Sequence, residues 1–263
     1  MPKKRLHLFE VEDFPWYPNF IREGQTDYLR FLTQLFNVFQ AIVPLVREVM
    51  EKTGQQEIVD MCSGGGGSML LLRKQLKEAT GKPFKATLTD LYPNISAYEY
   101  IKKESAGEIG YLPQSVDAVQ GPEIETGFFT IFNGFHHFEP AQAKAILQKA
   151  VDRKMPIGIF EPIDRSAWQI IANIFALTVL MLLTTPFIRP FRWQRLVFTY
   201  LIPLIPLCTL WDGIVSVLRL YDPEMMQQLI SELPENDFHW ETGKASHPFG
   251  KVIYLIGYPK EFL

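Results

Sequence analysis

The sequence predicts an α/β protein built around a mostly parallel β-sheet. Short apolar stretches alternate with amphipathic helical stretches, and four consecutive glycines separate the first strand-like stretch from the helix after it. Strands that alternate with helices are typical of a parallel sheet with crossover helices. Two strand-like stretches close the chain and predict an antiparallel hairpin. The 263 residues are enough for one large α/β domain, or for one domain with an insertion.

The N-terminal part of the chain is predicted to be an arm followed by a helix. Residues 1–24 combine scattered aromatic side chains with Pro15 and Pro18, which indicates irregular backbone. From residue 26 to residue 52, apolar side chains recur at three- and four-residue steps, the period of an amphipathic helix. Pro44 lies inside this stretch and is expected to kink or split the helix, because proline lacks the backbone N–H.

The remaining elements follow from local patterns of apolar residues. Seven strands are predicted, at 57–61, 85–88, 109–111, 127–132, 156–160, 238–241 and 251–257. Crossover helices are predicted at 68–79, 95–104 and 141–151. Open parallel sheets bind ligands at the carboxyl ends of their strands, so a binding site is predicted at the turns that follow the early strands.

Composition narrows the classes of partner and cofactor. The 26 basic and 29 acidic residues give a net charge of −3, which gives no reason to expect a nucleic-acid partner. Cys62 and Cys208 cannot form a disulfide framework, and no Cys-x-x-Cys or Cys/His cluster indicates zinc, so no metal is predicted. The basic N-terminus lacks a following apolar segment, which predicts no signal peptide.

The clearest candidate site is the turn at 60–67, with the sequence Asp-Met-Cys-Ser-Gly-Gly-Gly-Gly. Glycines let the backbone turn sharply and approach a ligand closely, and the helix behind them offers free N–H groups and a positive dipole end. Asp90 ends the next strand, 24 residues beyond Gly66, where a carboxylate can accept both hydroxyls of a ribose. The pattern predicts a nucleoside-containing cofactor at the carboxyl ends of the strands.

This turn resembles motif I of the class I S-adenosylmethionine-dependent methyltransferases, [Asp/Glu]-x-Gly-x-Gly-x-Gly, with a departure at Cys62, where a glycine is usual. A small cysteine still fits a tight turn. Asp90 resembles the family's ribose ligand, the Asp117-Ala118 pair resembles its adenine contact, and residues 132–138 resemble the end of its fourth strand. The resemblance covers about residues 55–163 and the terminal hairpin.

The resemblance implies a Rossmann-like fold and S-adenosylmethionine (SAM) as the cofactor. The residues that it implies for cofactor binding are Asp60, Cys62, Gly64, Gly65, Gly66, Asp90, Leu91, Asp117, Ala118 and Asn133. A nicotinamide-dependent dehydrogenase is the main competitor, but its Gly-x-Gly-x-x-Gly fingerprint would need glycine where Met69 or Leu70 stands. A phosphate loop would need Gly-Lys-Ser/Thr after the glycines. A glycine turn without any ligand is the remaining alternative.

Methyl transfer needs few catalytic groups, because the sulfonium of the donor is already activated. His136 and His137 follow the fourth strand and are the candidates to deprotonate or orient an acceptor, with packing as the alternative. Glu161 follows the fifth strand and either faces the pocket or caps the next helix. The predicted substrate pocket contains Tyr28, Trp211, Asp212 and Arg219, of which Asp212 and Arg219 are seven residues apart and are able to form an ion pair on one helix face.

The segment between the fifth strand and the hairpin is unusually apolar. Residues 166–188 carry no charge, Arg189, Arg192 and Arg195 follow, and residues 196–211 are again uncharged. A membrane-spanning hairpin is one interpretation, although its polar residues and prolines and the position of the arginines argue against it. A lid over an apolar acceptor, insertion into one leaflet with the arginines at the headgroups, and an ordinary helical subdomain or homodimer interface are the others.

The sequence therefore predicts four segments: an N-terminal arm and helical lid at 1–54, a cofactor-binding core at 55–165, an apolar helical insertion at 166–235, and closing strands at 236–263. The predicted function is methyl transfer from SAM to a lipophilic small molecule or lipid, with peripheral or monotopic membrane association. The alternative is a non-catalytic, membrane-associated interaction protein with the same fold. The expected location is the cytoplasm, including the inner face of the membrane.

Overall fold

The fold is a seven-stranded sheet with helices on both sides, seen in a computed structural model that describes residues 5–162, 167–248 and 250–263. The strands are β1 Glu57–Met61, β2 Lys85–Leu88, β3 Ile109–Tyr111, β4 Phe128–Phe132, β5 Ile157–Glu161, β6 Phe238–His247 and β7 Gly250–Pro259. Their order across the sheet is β3-β2-β1-β4-β5-β7-β6, and β7 runs antiparallel to the other six strands, pairing with β5 and β6. The predicted fold class, a mostly parallel sheet with a C-terminal antiparallel hairpin, is confirmed.

The helices fill the connections between the strands. They are α1 Asn19–Leu35, α2 Val43–Thr53, α3 Met69–Thr80, α4 Ile95–Glu104, α5 Pro140–Asp152, α6 Ala167–Thr184, α7 Trp193–Leu196, α8 Leu204–Arg219 and α9 Pro223–Ser231. Their ends carry the expected signals. Asn94 caps α4 by accepting from the Ala97 N–H, and Gly54 and Gly81 end α2 and α3 with left-handed backbone.

Strand order explains where a ligand can bind. The chain runs outward from β1 through β2 to β3, and then returns to place β4 on the other side of β1. The loops that leave β1 and β4 therefore diverge at the carboxyl edge of the sheet and open a crevice between them. The glycine turn and the His136-His137 pair follow these two strands, so the topology brings both candidate sites to the same edge.

The N-terminal helix differs from the prediction in both its start and its break. Helix α1 begins at Asn19, inside the predicted arm, and ends before Asn37, whose φ of 47° is left-handed. A short 3₁₀ segment, Val38–Ile42, precedes α2. Pro44 lies in the first turn of α2, where a missing N–H costs nothing, so it starts a helix instead of kinking one.

The insertion packs against α1 and forms a separate apolar core with it. This core contains Tyr17, Ile21, Tyr28, Leu32, Met181, Ile188 and Ile205. A buried ion-pair group reinforces the contact, because the Asp27 carboxylate on α1 lies 2.6 Å from Arg195 Nη1 and 3.2 Å from Arg192 Nε. Two of the three arginines predicted to contact lipid headgroups therefore form ion pairs inside the protein. Of the three, Arg189 alone is exposed.

The lengths of the helices give little support to a membrane-spanning hairpin. Within the described residues, no single helix is long and apolar enough to cross a bilayer. Two helix pairs reach that length together, 19–35 with 38–53 and 193–201 with 204–219, but they are bent by 65° and 79° respectively.

Candidate active site

The glycine turn is held against the end of β2 by the carboxylate predicted for ribose binding. Asp90 Oδ2 accepts from the Gly64 N–H at 2.7 Å, and Asp90 Oδ1 accepts from the Tyr92 N–H at 2.8 Å. Burial raises the pKa of Asp90, while these two backbone donors oppose the shift. The carboxylate is thus fixed in position beside the turn, with its remaining lone pairs available to a ligand.

Asp60 supports the turn from below. Its two carboxyl oxygens accept from the hydroxyls of Ser63, at 2.7 Å, and Thr130, at 3.0 Å, and the side chain is almost completely buried. Asp60 does not line the cavity described below. The structure therefore gives this predicted cofactor residue a supporting position, in which it fixes the start of the turn to the neighbouring strand β4.

A large cavity lies between the turn, the ends of β2 and β4, and helix α1. Its volume is about 650 Å³, within the range of roughly 300–1,000 Å³ usual for small-molecule sites. It brings together most of the residues predicted to bind the cofactor, namely Cys62, Gly64, Gly65, Asp90, Leu91, Asp117, Ala118 and Asn133. We refer to it as the cofactor cavity.

Gly66 is absent from the lining of this cavity and has a packing role. Its φ of 88° is left-handed, and a Cβ added there would lie 2.1 Å from Ile101 Cδ1 on α4. Glycine is therefore required because the turn packs closely on the core behind it. The predicted contact of Gly66 with the cofactor is replaced by a contact with the α4 side chain.

Helix α1 covers the cofactor cavity, as expected for a lid. Side chains one helical turn apart, including Arg22, Thr26, Leu29, Arg30 and Thr33, line the cavity. The turn and the lid are in close contact, since a Cβ added at Gly65 would lie 2.5 Å from the Thr26 carbonyl oxygen. A ligand in the cavity would thus be enclosed between the sheet edge and α1.

A second, mostly apolar cavity adjoins the first. It has a volume of about 100 Å³ and lies between α1, α6, α8 and the end of β4. Its apolar wall includes Tyr28, Leu32, Leu177, Met181, Leu210 and Val217. Glu12, Leu29, Asn133 and His137 line both cavities. We refer to this space as the apolar cavity, and the four shared residues mark where it meets the cofactor cavity.

The histidine after β4 that is nearest the sheet is oriented by the end of β5. Glu161 is fully buried, and its Oε2 lies 2.9 Å from His136 Nδ1. Its Oε1 accepts from the N–H groups of Phe135 and His136. Glu161 lines neither cavity and accepts from the backbone of the turn after β4, so it positions His136 and does not form part of a cavity wall. Residues 163–166, directly before the following helix, lie outside the described residues, and the predicted cap of that helix stays a prediction.

Known proteins resemble this chain in structure and not in sequence. No protein-family model matches it, and neither does any curated protein. The plantazolicin methyltransferase BpumL, solved in complex with S-adenosylhomocysteine (SAH), is 10% identical, with a TM-score of 0.52 over 92% of this chain and 96% of its own. The chain has the class I methyltransferase fold.

Two further structures support that assignment of fold. The magnesium protoporphyrin IX methyltransferase ChlM from Synechocystis PCC 6803, solved with bound SAM, is 12% identical, with a TM-score of 0.50 over 97% of this chain and 99% of its own. An O-methyltransferase family protein from Burkholderia thailandensis is 14% identical, with a TM-score of 0.52 over 98% of this chain and 64% of its own. At these identities the likeness is one of fold, and it confirms the resemblance expected from the glycine turn.

On this methyltransferase fold, three acidic residues of the N-terminal arm approach the histidine pair. His137 Nδ1 lies 2.7 Å from Asp13 Oδ1, and its Nε2 lies 3.6 Å from Glu12 Oε1. Glu10 lies within 3.9 Å of both imidazoles. Sequence reasoning missed these residues because the arm reads as irregular. The signal that was available is the Glu-Val-Glu-Asp segment, which places three acids within four residues of an otherwise aromatic arm.

The electrostatic environment of His137 favours positive charge. Burial lowers the pKa of His137, but three neighbouring carboxyl groups outweigh burial and raise the pKa to about 10. Burial raises the pKa of Glu12 to about 8, and that of Asp212 to about 6. A protonated imidazole cannot accept a proton, so the site as it stands does not support His137 as the general base. Its role in orienting an acceptor stays a prediction.

The residues predicted for the substrate pocket separate into different places. Tyr28 and Asp212 line the apolar cavity, and the Tyr28 hydroxyl donates to the Leu177 carbonyl at 2.6 Å. Arg219 lines the cofactor cavity instead. Trp211 lines neither cavity, because its indole lies at the surface against Phe9 and donates to the carbonyl of that residue.

The predicted Asp212–Arg219 ion pair is wrong, because each group has other partners. Asp212 accepts from Gln25 Nε2 at 2.9 Å and from the Val11 N–H at 2.7 Å. Arg219 lies 2.7 Å from Asp13 and 3.0 Å from Glu10. The arm lies over α8 and supplies these closer partners, which the helical spacing of the two residues could not indicate.

Proposed function

We propose that this protein transfers a methyl group from SAM to a lipophilic acceptor. The observation that carries the proposal is the juxtaposition of the two cavities at the carboxyl edge of a class I methyltransferase fold, with Asn133 and His137 lining both. A donor in the cofactor cavity and an acceptor in the apolar cavity would meet at these two residues. Holding the two reactants in line is most of what methyl transfer requires, since the sulfonium is already activated.

The residues present fit SAM. Asp90 is fixed by two backbone donors and offers its remaining lone pairs to ribose hydroxyls. Asp117 and Ala118 also line the cofactor cavity, and the resemblance to the methyltransferases assigns this pair to the adenine. Helix α1 covers the cavity and would exclude water from the transfer step.

The lining of the apolar cavity supports a lipophilic acceptor with a polar end. Its aliphatic side chains come from α1, α6 and α8, and its titratable side chains include Glu12 from the arm, His137 from the end of β4 and Asp212 from α8. Small-molecule sites bind an apolar body by contact and fix its orientation with few polar groups. With a volume of about 100 Å³, the apolar cavity would hold only the end of an acceptor that extends beyond it. Glu12 and His137 also line the cofactor cavity, so the polar end of the acceptor would lie beside them and receive the methyl group.

The outer surface of the insertion supports attachment to a membrane. Helix α6 is apolar on both sides: Leu177 and Met181 line the apolar cavity, while Leu182 and Leu183 are exposed. A helix that is apolar all round needs a non-aqueous neighbour on each side. The exposed apolar side chains of this region, here called the apolar surface, are Val179, Leu182, Leu183, Phe187, Phe191, Trp193, Tyr200, Leu201, Ile202, Leu204, Leu207 and Trp211. A lipid surface would cover them and would deliver a lipophilic acceptor beside the cavity.

Calorimetry with SAH tests the cofactor part of the proposal. We expect micromolar binding, and Asp90→Ala should weaken it by about 1–3 kcal/mol, because the ribose hydroxyls lose a charged hydrogen-bond partner. Glu123→Ala, which removes an exposed carboxylate outside both cavities, is the matched control and should bind normally. Absence of heat and of any thermal shift at millimolar SAH would remove the assignment of SAM as cofactor.

Incubation with methyl-labelled SAM and separated cellular extracts tests the acceptor. Label should enter the lipid fraction, and Asp90→Ala should lower the incorporation. If label enters only water-soluble compounds and SAH still binds, the assignment as a methyltransferase is kept and the lipophilic acceptor is refuted.

Vesicle flotation tests the membrane part. Leu183→Glu with Leu201→Glu should abolish flotation with the vesicles, since it places two carboxylates in the apolar surface. Leu35→Glu changes an exposed leucine on α1 and serves as the control. Charge reversal of Arg192 or Arg195 is unsuitable here, because both pair with Asp27. Flotation that survives the double substitution would refute attachment through this surface.

A further inference from the structure

Three donor groups line the apolar cavity close to its junction with the cofactor cavity. Glu10, His136 and His137 each offer one ligand atom, and these atoms lie within 4.8 Å of one another. Glu10 Oε2 lies 3.5 Å from His137 Nδ1 and 3.9 Å from His136 Nε2. The longer distance exceeds hydrogen-bond range. Atoms that bind one ion at about 2.0–2.2 Å lie roughly 3–4 Å apart, which is close to the spacing seen here.

Two of these groups, Glu10 and His136, are deeply buried, and Glu10 has a side-chain oxygen without a hydrogen-bond partner. His136 donates or accepts at Nδ1 with Glu161, and among the described residues the nearest charged partner of its Nε2 is Glu10, at 3.9 Å. Glu10 is 1% exposed, and its Oε1 forms no hydrogen bond, although Arg219 Nη1 lies 3.0 Å away as an ion-pair partner. Buried polar atoms of this kind call for a partner.

The contact between His136 and Glu161 is the arrangement that orients a metal-binding imidazole. A histidine that binds a metal through one nitrogen usually gives its other N–H to a carboxylate, which fixes the ring and raises its basicity. Here Glu161 holds Nδ1 at 2.9 Å, and Nε2 is turned toward Glu10. The imidazole is therefore already placed as a ligand would be.

The charge around the two imidazoles also favours a cation. Five carboxyl groups approach them or their near neighbours: Glu10, Glu12, Asp13, Glu161 and Asp212. Arg219 forms ion pairs with Glu10 and Asp13. Several carboxylates are costly to bury together unless they are paired or coordinate a metal.

We propose that Glu10, His136 and His137 bind one divalent transition-metal ion. Two imidazoles and one carboxylate suit zinc and its neighbours better than magnesium or calcium. His137 Nδ1 now contacts Asp13 at 2.7 Å. The ion would take the place of the proton that the imidazole holds there, and that proton would be released to solvent, as it is when metals bind histidine. Three protein ligands leave an open coordination position, as in catalytic sites.

The open position would face the acceptor. Glu10 and His136 line the apolar cavity and His137 lines both cavities, so the ion would lie at their junction. On the proposed function, on which this step rests, the ion would bind an oxygen or nitrogen atom at the polar end of the acceptor. The metal site itself depends only on the side chains described above.

Metal titration of the full-length, chelator-stripped protein tests the site. Calorimetry with Zn²⁺ should give one ion per chain, and Co²⁺ should produce the visible absorption of a site with nitrogen ligands. Glu10→Gln and His137→Asn should each weaken Zn²⁺ binding at least tenfold, and Glu161→Gln should weaken it by about 10–100-fold through loss of ring positioning. His239→Asn, on β6, is the control and should bind normally.

SAH binding and thermal unfolding are measured on the same samples, so that loss of the metal site can be told apart from unfolding and from failure of the proposed function. Variants that unfold like the wild type and bind SAH, yet lose Zn²⁺, support the site. Zn²⁺ uptake that is absent in the wild type, or unchanged in Glu10→Gln and His137→Asn, overturns the site while SAH binding continues to support the proposed function. Loss of SAH binding with Zn²⁺ binding intact would contradict the proposed function and leave the metal site standing.

Discussion

At the scale of single residues, two left-handed positions shape the site. Cys62 and Asn133 follow β1 and β4, with φ of 56° and 54°. The two turns also touch, because a Cβ added at Gly134 would lie 3.0 Å from Cys62 Cβ. This geometry explains why glycine is usual at the Cys62 position in the resembling motif: a side chain there costs about 1–2 kcal/mol in left-handed backbone. Cysteine is tolerated because it is small enough to pack beside Gly134.

Asp60 predicts a dependence of stability on pH. Burial raises the pKa of Asp60 from 3.8 to about 7, against the opposing effect of the Ser63 and Thr130 hydroxyls. The folded protein holds this proton more tightly than the unfolded chain does, so protonation of Asp60 contributes to the free energy of unfolding. That contribution is fully present below about pH 4. It is lost as the pH rises toward 7. Each unit of difference corresponds to about 1.4 kcal/mol.

The variant Asp60→Asn stays uncharged and should remove this dependence. We expect the free energy of unfolding of the variant, relative to the wild type, to rise by a few kcal/mol between pH 4 and pH 7, by denaturant titration. Asp237→Asn replaces an aspartate whose side chain is 90% exposed and should show no such trend. A difference between wild type and Asp60→Asn that is constant across this range would contradict the protonated state of Asp60.

At the scale of elements, the sequence predicts the bounds of a strand or helix where neighbouring residues in the chain determine them. The strands are short apolar stretches next to turn residues, and β1, β2 and β3 match their predicted bounds. The break at Asn37 escaped prediction because a left-handed asparagine leaves no signal as strong as a proline. The pairing of Arg192 and Arg195 with Asp27 also escaped it, because those partners come from a helix more than 160 residues away in the chain.

Two helical glycines predict opposite effects of the same substitution. A Cβ added at Gly24 on α1 would lie 2.5 Å from Ile205 Cδ1 on α8, whereas one added at Gly213 on α8 would meet nothing within 4 Å. Gly213→Ala should stabilise the protein by about 0.5–1 kcal/mol, because alanine loses less backbone entropy in a helix. Gly24→Ala gains the same propensity, but overpacking against Ile205 typically costs 1–3 kcal/mol, so we expect net destabilisation of about 1 kcal/mol.

Thermal and denaturant unfolding of the two alanine variants, measured side by side, checks this prediction. Each variant controls the other, since the chemical change is identical. Equal stabilisation by both would mean that α1 and α8 do not pack as closely as Gly24 and Ile205 indicate.

At the scale of the whole molecule, the site is assembled from segments that lie far apart in the sequence. The predicted cofactor residues follow from four short matches to one family, in the glycine turn, Asp90, the Asp117-Ala118 pair and the end of β4, and most of them line one cavity. The apolar cavity is lined by the arm, α1, the end of β4 and the insertion. The acidic segment Glu10–Asp13 is visible in the sequence, but nothing local indicates where it packs, so its convergence on the histidines had to come from the structure.

Gly213 also makes the apolar cavity testable in the intact protein. It is an exposed residue of α8 that lines this cavity and not the cofactor cavity, and the space around its Cα is open. A glycine in the middle of a helix lowers the stability of the helix relative to alanine. At this position, no atom lies within 4 Å of where a Cβ would be. A bulky side chain at this position should therefore obstruct the acceptor without disturbing the donor.

We expect Gly213→Trp to reduce labelling of the lipid fraction by methyl-labelled SAM at least tenfold, because the indole would occupy the space left open by glycine. SAH binding by calorimetry should stay within twofold of the wild type, since Gly213 does not line the cofactor cavity. Gly213→Ala adds a single methyl group and should keep normal labelling, which separates obstruction from a change in helix stability. Full lipid labelling by Gly213→Trp would mean that the acceptor reaches the methyl donor by another route, and the apolar cavity would lose its assigned role.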